Sequence, residues 1–433
     1  MGRSGLSRRD RRALVAVAAQ FFVNGAVFAS YVPRLPEIRD RVDVSLGALG
    51  AILALASLVG LVASATVGRL VTAFGTRRVM VTAAVGLTLG LAVVGLADRV
   101  VVLVLGLGLL GLLDVYVDAT MNLQASWLSA RRSAPVMNRL HGLWSLGTVL
   151  GGLAAAQVAE LGVPLRTHLL VVAALMLAVV LVVGRNLLPV DERHQAAHDD
   201  EAEPGTTVGS GAGREGTGAR AGGAEPALDG RAVGGGVGAA PVRRLPVGLV
   251  LLGLAGVCSI AMEQTSSDWA AFRLSDDFGA RAGVAGLAYV AFTAGMTLGR
   301  FGGDTAIVRF GRREVFRAAI ALTGLSLVVA SFAPNRWVVV AAYAVAGLGI
   351  ATQFPKLYDD AARHPGRTGA GLGALSAGSR LAMLVVPAAV GALASTRLPV
   401  GTATAAVTLP AAAGFVLVAR RPARPPAPAS IGA

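Results

Sequence analysis

The sequence predicts an all-α polytopic membrane protein, and three observations indicate this class. The 433-residue chain is 54% hydrophobic and only 15% charged, whereas soluble domains carry about 25% charged residues. Its mean hydropathy is +0.65, and many of its apolar runs reach the roughly 20 residues that a helix needs to cross a bilayer. Because backbone groups in lipid must be paired internally, these long unbroken runs are expected to be helices.

Twelve apolar runs are predicted to span the membrane. The first follows a basic stretch, as the apolar region of a secretory signal would, but it is longer than such a region and further spans follow it. We therefore expect it to be an uncleaved first span. The runs lie at about 13–32, 46–67, 78–97, 100–127, 137–160, 167–188, 245–270, 282–302, 314–333, 336–357, 369–394 and 399–419.

The placement of arginine and lysine predicts the orientation of these spans. With both termini in the cytoplasm, the short cytoplasmic segments hold 22 of these residues and the outer segments hold nine. This asymmetry follows the positive-inside rule and indicates a multi-pass protein of the cytoplasmic membrane. It also accounts for the net charge of +14, so the lipid bilayer and not a nucleic acid is the expected partner. Cys258 is the only cysteine, and no disulfide, metal or cofactor is expected.

A polar segment and an internal repeat divide the chain into two halves. Residues 189–244 are rich in Gly and Ala with charges of both signs, which predicts a disordered cytoplasmic linker. It separates an N-terminal six-helix half, 1–188, from a C-terminal six-helix half, 245–421, and a cytoplasmic tail follows at 422–433. The two halves are expected to be pseudo-symmetric because each carries a similar loop between its second and third spans.

The repeated loops read GRLVTAFGTRRVM and GRFGGDTAIVRFGRREVF. Each begins with Gly-Arg and ends with Phe-Gly and two arginines. Glycine permits tight turns and close helix approach, and arginine can donate to helix carboxyl ends or to acids in one conformation and release them in another. We therefore expect two cytoplasmic turns that gate the protein; orientation charge alone is the alternative. The predicted gating residues are Gly68, Arg69, Gly75, Arg77, Arg78, Gly299, Arg300, Asp304, Gly311, Arg312 and Arg313.

A polar stripe in the fourth span is the first candidate site. Asp114, Asp118 and Asn122 follow one another at intervals of four residues, which places them on one helix face. A charged group at the bilayer centre costs at least about 2.5–3.5 kcal/mol, so the stripe should face a bundle interior or a cavity. His141, in the next span, is expected at a similar depth as a partner in proton transfer. The alternative is a satisfied polar pair that joins two helices.

Further polar side chains in other spans are candidates for the same cavity. Asn24 lies near the middle of the first span, Glu263 lies in the outer part of the seventh, and Gln353 lies toward the inner end of the tenth. Arg380 lies deep in the eleventh span, where an arginine needs a partner. Either Glu263 or an anionic substrate could be that partner, and both readings stay open.

The paired loops resemble the hallmark loop of the major facilitator superfamily, G-x-L-a-D-r-x-G-r-[KR]-[KR]. Thr72 stands where the first copy usually has its aspartate, and Asp304 keeps it in the second. The stretches LLDVYVDATMNLQASWLSARR and EQTSSDWAAFRL resemble the MosC/YbjJ-like branch. The resemblance implies the twelve-helix fold of that superfamily, with two six-helix halves that rock about a substrate site near the midplane.

These observations predict a secondary active transporter and not an enzyme. It would move a small polar solute by alternating access, be coupled to protons, and act as a monomer. One alternative is a sensor that keeps the fold without transporting. Another is a membrane prenyltransferase, because Asp114 and Asp118 have the D-x-x-x-D spacing of magnesium–pyrophosphate sites. That enzyme needs a second acidic motif, and the best candidate here, Asp276-Asp277, falls on an outer loop.

Overall fold

The computed structural model describes residues 7–132, 136–188, 247–362 and 369–419, and these are helical apart from short connections. Within these ranges, twelve helices are long and apolar enough to cross a membrane. The predicted class and number of spans are therefore confirmed. The predicted linker and C-terminal tail lie outside the described residues.

Among the described residues, eight α-helices lie in the first half and eight in the second, and six in each half are long enough to cross a membrane. The first half contains α1 (Arg8–Tyr31), α2 (Leu35–Val42), α3 (Leu46–Ser64), α4 (Val67–Phe74), α5 (Thr76–Leu96), α6 (Val100–Arg132), α7 (Met137–Glu160) and α8 (Leu165–Gly184). The second contains α9 (Val247–Asp268), α10 (Ala270–Phe278), α11 (Ala282–Phe310), α12 (Arg312–Phe332), α13 (Arg336–Ile350), α14 (Gln353–Ala362), α15 (Ala370–Ala394) and α16 (Val400–Ala419).

The two halves repeat the same helix pairings. Helix α1 packs on α7 as α9 packs on α15, α3 packs on α6 as α11 packs on α13, and α5 packs on α8 as α12 packs on α16. Between the halves, α3 packs on α15 and α7 packs on α11. Glycines permit the closest pairings, because a Cβ at Gly147 would collide with the carbonyl of Phe22, and one at Gly378 with the carbonyl of Gly253.

The glycine contacts of α15 give a stability prediction with an internal control. Gly378→Ala is expected to lower the free energy of unfolding by about 1–3 kcal/mol, because the added methyl group meets backbone that cannot rotate away. Gly373→Ala, in the same helix, meets open space and should be neutral or stabilising by about 0.4–1 kcal/mol. Thermal unfolding of both variants in detergent measures the difference. Equal melting temperatures would contradict this packing.

One turn of each repeated loop is formed by a glycine. Gly75, between α4 and α5, has φ +78°, and Gly311, between α11 and α12, has φ +84°. Such φ values favour glycine over any residue with a side chain. The two turns lie at the end of the bundle where α1 begins, which we call the basic face, and α3 begins at the opposite face.

The rest of each repeat is helical, which corrects the prediction that these residues lie in loops. Gly68 and Arg69 lie in α4, and Gly299, Arg300 and Asp304 lie inside α11, which is unbroken to Phe310. The physical reason is that residues 299–310 contain no proline, so their amides continue the helical hydrogen bonds up to the glycine turn. In the first half, a short break at residues 65–66 separates α3 from α4.

Candidate functional site

A cavity of about 850 Å³ lies between the two halves. Helices α1, α3, α6 and α7 line it from the first half, and α9, α11, α14 and α15 line it from the second. Its wall combines charged, hydroxyl and aromatic groups, as expected for a small-molecule site in a helical bundle. The charged and aromatic lining residues are Asp114, Asp118, Asp268, Arg380, Phe28, Tyr31, Trp144, Tyr289, Phe354 and Tyr358.

Asp114 is held in the cavity wall by hydrogen bonds that join three helices. It is fourteen residues from Val100, the first residue of α6, a distance of about 21 Å along the helix. Its Oδ1 accepts a hydrogen bond of 2.8 Å from Nδ2 of Asn24 in α1. Oδ1 of Asn24 in turn accepts one of 2.8 Å from the indole Nε1 of Trp144 in α7. The amide thus fixes both the carboxylate and the indole.

Asp118 lies one turn nearer the basic face and is exposed. It lines the same cavity as Asp114. Asn122 Nδ2 donates to Asp118 Oδ1 at 3.0 Å and to the Asp118 carbonyl at 2.9 Å. The predicted stripe therefore consists of two carboxylates at the cavity and an amide that positions the second.

His141 does not contact either aspartate through any described hydrogen bond. Its ring packs edge-on against Phe21, with the ring centroids 5.2 Å apart. The expected Asp–His pairing is therefore corrected, because the amide of Asn24 bonds Asp114 from the neighbouring helix.

Arg300 extends the polar contacts into the second half. Its Nη1 donates to Ser145 Oγ at 3.0 Å, and its Nη2 lies 3.9 Å from Glu263 Oε1. Its guanidinium also lies 5.7 Å from the ring centroid of Trp144, within cation–π range. A chain of contacts therefore runs from Asp114 through Asn24, Trp144 and Arg300 to Glu263.

Three candidate residues of the second half have partners other than those expected. Glu263 pairs with Arg300, and Arg380 Nη1 donates to Ser64 Oγ at 3.0 Å, so the proposed Glu263–Arg380 pair is not formed. Gln353 is buried and donates to Thr323 Oγ1 at 2.9 Å, which makes it a packing contact between α14 and α12. The intermediate exposure of Glu263 leaves it partly accessible.

Unlike Arg300, Arg77 and Arg312 of the repeated loops make contacts within their own halves. Arg77 Nε donates to the Gly184 carbonyl at 2.9 Å and therefore caps the carboxyl end of α8. Arg312 forms an exposed ion pair with Asp359 of α14. The side chain of Asp304 is not among those described.

The halves are joined at the opposite face. Arg39 of α2 forms an ion pair with Asp276 of α10, and Arg281 Nη1 lies 3.3 Å from Glu160 Oε1 of α7. The backbone of α3 lies directly against α15 there, where the Gly47 amide donates to Ser395 Oγ at 2.5 Å. At the other end, the cavity lining includes Ser64, Val67 and Tyr358, which lie toward the basic face.

Asp276 and Asp277 are the second acidic motif that a prenyltransferase would need. Both make contacts with other residues at the opposite face. Asp277 pairs with Arg273 at 2.7 Å and accepts hydrogen bonds from the amides of Val400 and Gly401 at 2.9 and 2.8 Å. Asp276 pairs with Arg39. These contacts fasten helices together and hold this motif away from Asp114 and Asp118.

Two halves, each with six described helices long enough to cross a membrane, and a central cavity between them define a multi-pass membrane protein of the transporter class. The family model of the Major Facilitator Superfamily matches residues 17–265 and 252–433. The chain belongs to this superfamily.

Curated relatives agree with this assignment. The chain is 28% identical over 348 residues to the "Uncharacterized transporter y4wD" of Sinorhizobium fredii, covering 80% of this chain and 81% of the relative. It is 25% identical over 357 residues to "Membrane protein MosC" of Rhizobium meliloti, covering 81% and 75%.

Two solved structures share the fold. The nucleoside transporter NupG has a TM-score of 0.66 at 12% identity, covering 95% of this chain and 98% of that one. A bacterial homologue of the human lysosomal transporter Spinster, in an inward-facing and occupied conformation, has a TM-score of 0.63 at 13% identity, covering 96% and 98%.

Proposed function

We propose that this protein is a proton-coupled secondary transporter that moves a small polar solute across the cytoplasmic membrane by alternating access. The observation that supports it best is the cavity between the halves, whose wall carries carboxylates from both of them. A solute bound there contacts both halves at once, so rocking of one half against the other can expose it to either side of the membrane in turn.

The distribution of basic residues supports a cytoplasmic location for the basic face. The positive-inside rule assigns to the cytoplasm the side that carries Arg77, Arg78, Arg312 and Arg313. Both termini then lie in the cytoplasm. With this orientation, the contacts at the opposite face close the outer side and the cavity faces inward.

Asp114 is proposed as the proton-coupling group, with Asp118 as the second candidate. Asp114 lines the cavity, so its carboxylate can take up a proton from the outer side in one conformation and release it to the cytoplasm in the other. Protonation removes a negative charge from the Asn24 contact, and the Asn24–Trp144–Arg300 chain carries this change to Glu263 in the second half. Proton binding and the position of the halves are thereby linked.

The gating residues are proposed to act in the outward-facing state. Closing the basic face would bring α4 and its glycine turn toward the matching part of the second half. The arginines would then exchange their present partners, such as the Gly184 carbonyl and Asp359, for carboxyl ends and acids across the interface. This exchange is the kind of bistable contact that a two-state transporter requires.

The experiment that tests the proposal is transport in reconstituted vesicles. Purified full-length protein is placed in liposomes with an imposed pH step, and uptake of labelled solutes from a panel of sugars, acids and amino-acid derivatives is measured. Saturable, gradient-dependent flux is expected for at least one solute. A protein that binds such a solute without moving it would be a sensor and would contradict the proposal.

The ion pair at the opposite face gives a prediction about conformation. Asp276→Arg places two arginines together and should shift the protein toward the outward-facing state. A cysteine at Ser57, which lines the cavity, in a Cys258→Ser background, should then react with an outside reagent about threefold to tenfold faster. The added Arg39→Asp substitution should restore the original rate by reversing the pair.

A matched control for this pair lies on the surface of one helix. Glu314 and Arg317 form an exposed pair at 3.0 Å within α12, so Glu314→Arg should leave labelling unchanged. An unchanged rate in Asp276→Arg as well would show that the Arg39–Asp276 contact does not hold the outer side closed.

A further inference from the structure

Arg380 is a cationic group on the cavity wall. It lies fourteen residues before Ala394, the last residue of α15, about 21 Å from the opposite face. Its side chain is exposed and lines the cavity. Its described hydrogen bond is the one to Ser64 Oγ. A guanidinium carries five N–H donors, so most of its hydrogen-bonding capacity faces the cavity.

The acidic groups around the cavity are engaged with other side chains. Asp114 accepts from Asn24, and Asp118 accepts from Asn122. Glu263 lies beside Arg300, and Asp268 is contacted by Gln264 and Ser267. Among the described residues, none of these carboxylates lies within 4.0 Å of Arg380. An arginine at this depth in a membrane needs a counter-charge, and the described part of the chain does not provide one in this conformation.

Arg273 is an arginine with a structural role in the same chain, and it serves as a comparison for Arg380. Arg273 is 6% exposed, pairs with Asp277 at 2.7 Å and donates to the carbonyls of Ala330 and Ala333 at 3.2 and 3.1 Å. It is thus buried, ion-paired and bonded to backbone on a neighbouring helix. Arg380 is exposed to the cavity and lacks these features, so a role in packing does not account for it.

Hydroxyl groups and carboxylates complete the surroundings of Arg380. Ser376, one turn earlier on α15, and Ser64 both line the cavity. Asp114 lines the same cavity from the first half and is also fourteen residues from the end of its helix at the opposite face. The second half therefore offers an anion site, and the first half offers acceptors for hydroxyl or amino groups.

We infer that Arg380, with the hydroxyls of Ser64 and Ser376, binds the anionic group of the transported solute. The solute is then a small organic anion, a carboxylate or a phosphate monoester, whose other end donates hydrogen bonds to Asp114 and Asp118. This inference rests on the proposed function and adds the charge of the substrate to it. Charge-assisted hydrogen bonds to a guanidinium distinguish such an anion from its neutral analogue.

The test uses the small-molecule extract of cells that produce the protein. The extract is separated by anion exchange into an anionic and a non-anionic fraction, and each is added to full-length protein in nanodiscs. The readout is the melting temperature, together with the tryptophan fluorescence to which Trp144 in the cavity wall contributes. The anionic fraction is expected to raise the melting temperature of the wild type. Arg380→Gln should weaken this response about 10- to 100-fold in ligand concentration, and Arg380→Lys should retain part of it.

The controls separate failure of the inference from failure of the proposed function. Arg309→Gln, on an exposed part of α11, should respond as the wild type does. A response to the non-anionic fraction that Arg380→Gln leaves intact would overturn the inference and retain the transporter. A response to neither fraction would overturn both. If Arg380→Gln is unstable without ligand, the comparison of wild type and Arg380→Lys across the two fractions still decides the charge of the solute.

Discussion

Asp114→Asn is expected to abolish solute accumulation driven by a pH gradient while solute exchange across the membrane continues. Asparagine keeps the shape of aspartate and can still accept from Asn24, so the hydrogen bonds to Trp144 are preserved. It cannot bind and release a proton near neutral pH, so the gradient no longer drives the solute. One coupled proton supports about tenfold accumulation per pH unit, and the variant should reach a ratio of about one.

The measurement is accumulation of a transported solute in liposomes with an imposed pH step of one to two units. Asp98→Asn serves as the matched control, because it makes the same chemical change at an exposed aspartate just before α6 that does not line the cavity. Full accumulation by Asp114→Asn would exclude Asp114 as the coupling group. If Asp118→Asn loses accumulation instead, the coupling group is the other carboxylate of the stripe.

Arg300→Gln is expected to lower the transport rate at least about tenfold and to weaken its dependence on pH. The guanidinium is the group that connects Trp144 and Ser145 of the first half with Glu263 of the second. Removing it leaves Glu263 partly buried without its cation, a loss that is larger than that of an exposed ion pair. Since Arg300 and Glu263 act together in this proposal, the double variant Arg300→Gln with Glu263→Gln should be no slower than the worse single variant.

The pH profile distinguishes coupling from a merely structural role for Arg300. A protein that is only destabilised should lose rate equally at every pH. Arg309→Gln on the same helix is the control for loss of one positive charge, and it should keep both rate and profile. If the losses of rate in the two single variants multiply in the double variant, Arg300 and Glu263 act independently.

The sequence predicted the general architecture well because hydropathy, charge placement and the repeat report on independent physical constraints. Apolar runs define spans, and the Gly-Arg repeats mark equivalent positions in two halves. The i, i+4 spacing of Asp114 and Asp118, together with the cost of charge in lipid, indicated an interior helix face. In the structure both line the cavity.

Other features depend on which helices face each other, which the spacing of residues along one helix does not reveal. His141 has a suitable depth but packs on Phe21, and Gln353 points between α14 and α12. No sequence pattern around Trp144 indicates that it lines the cavity. The repeat predicts a turn at Arg300, but residues 299–310 contain no proline and continue the helix to Gly311. Close contacts at glycines help to determine which helices are neighbours, and the residues that these glycines touch lie far away in the sequence.

The unbroken course of α11 has a mechanical consequence. This helix is 29 residues long, or about 44 Å, and it connects three places: the Arg281–Glu160 pair, the Arg300 contacts and the Gly311 turn. An unbroken helix of this length can move as one unit, so a tilt that separates its outer end from α7 would swing its inner end the other way. Opening on one side of the membrane and closing on the other would then be one rigid motion, and a flexible joint introduced midway along α11 would let both ends leak together.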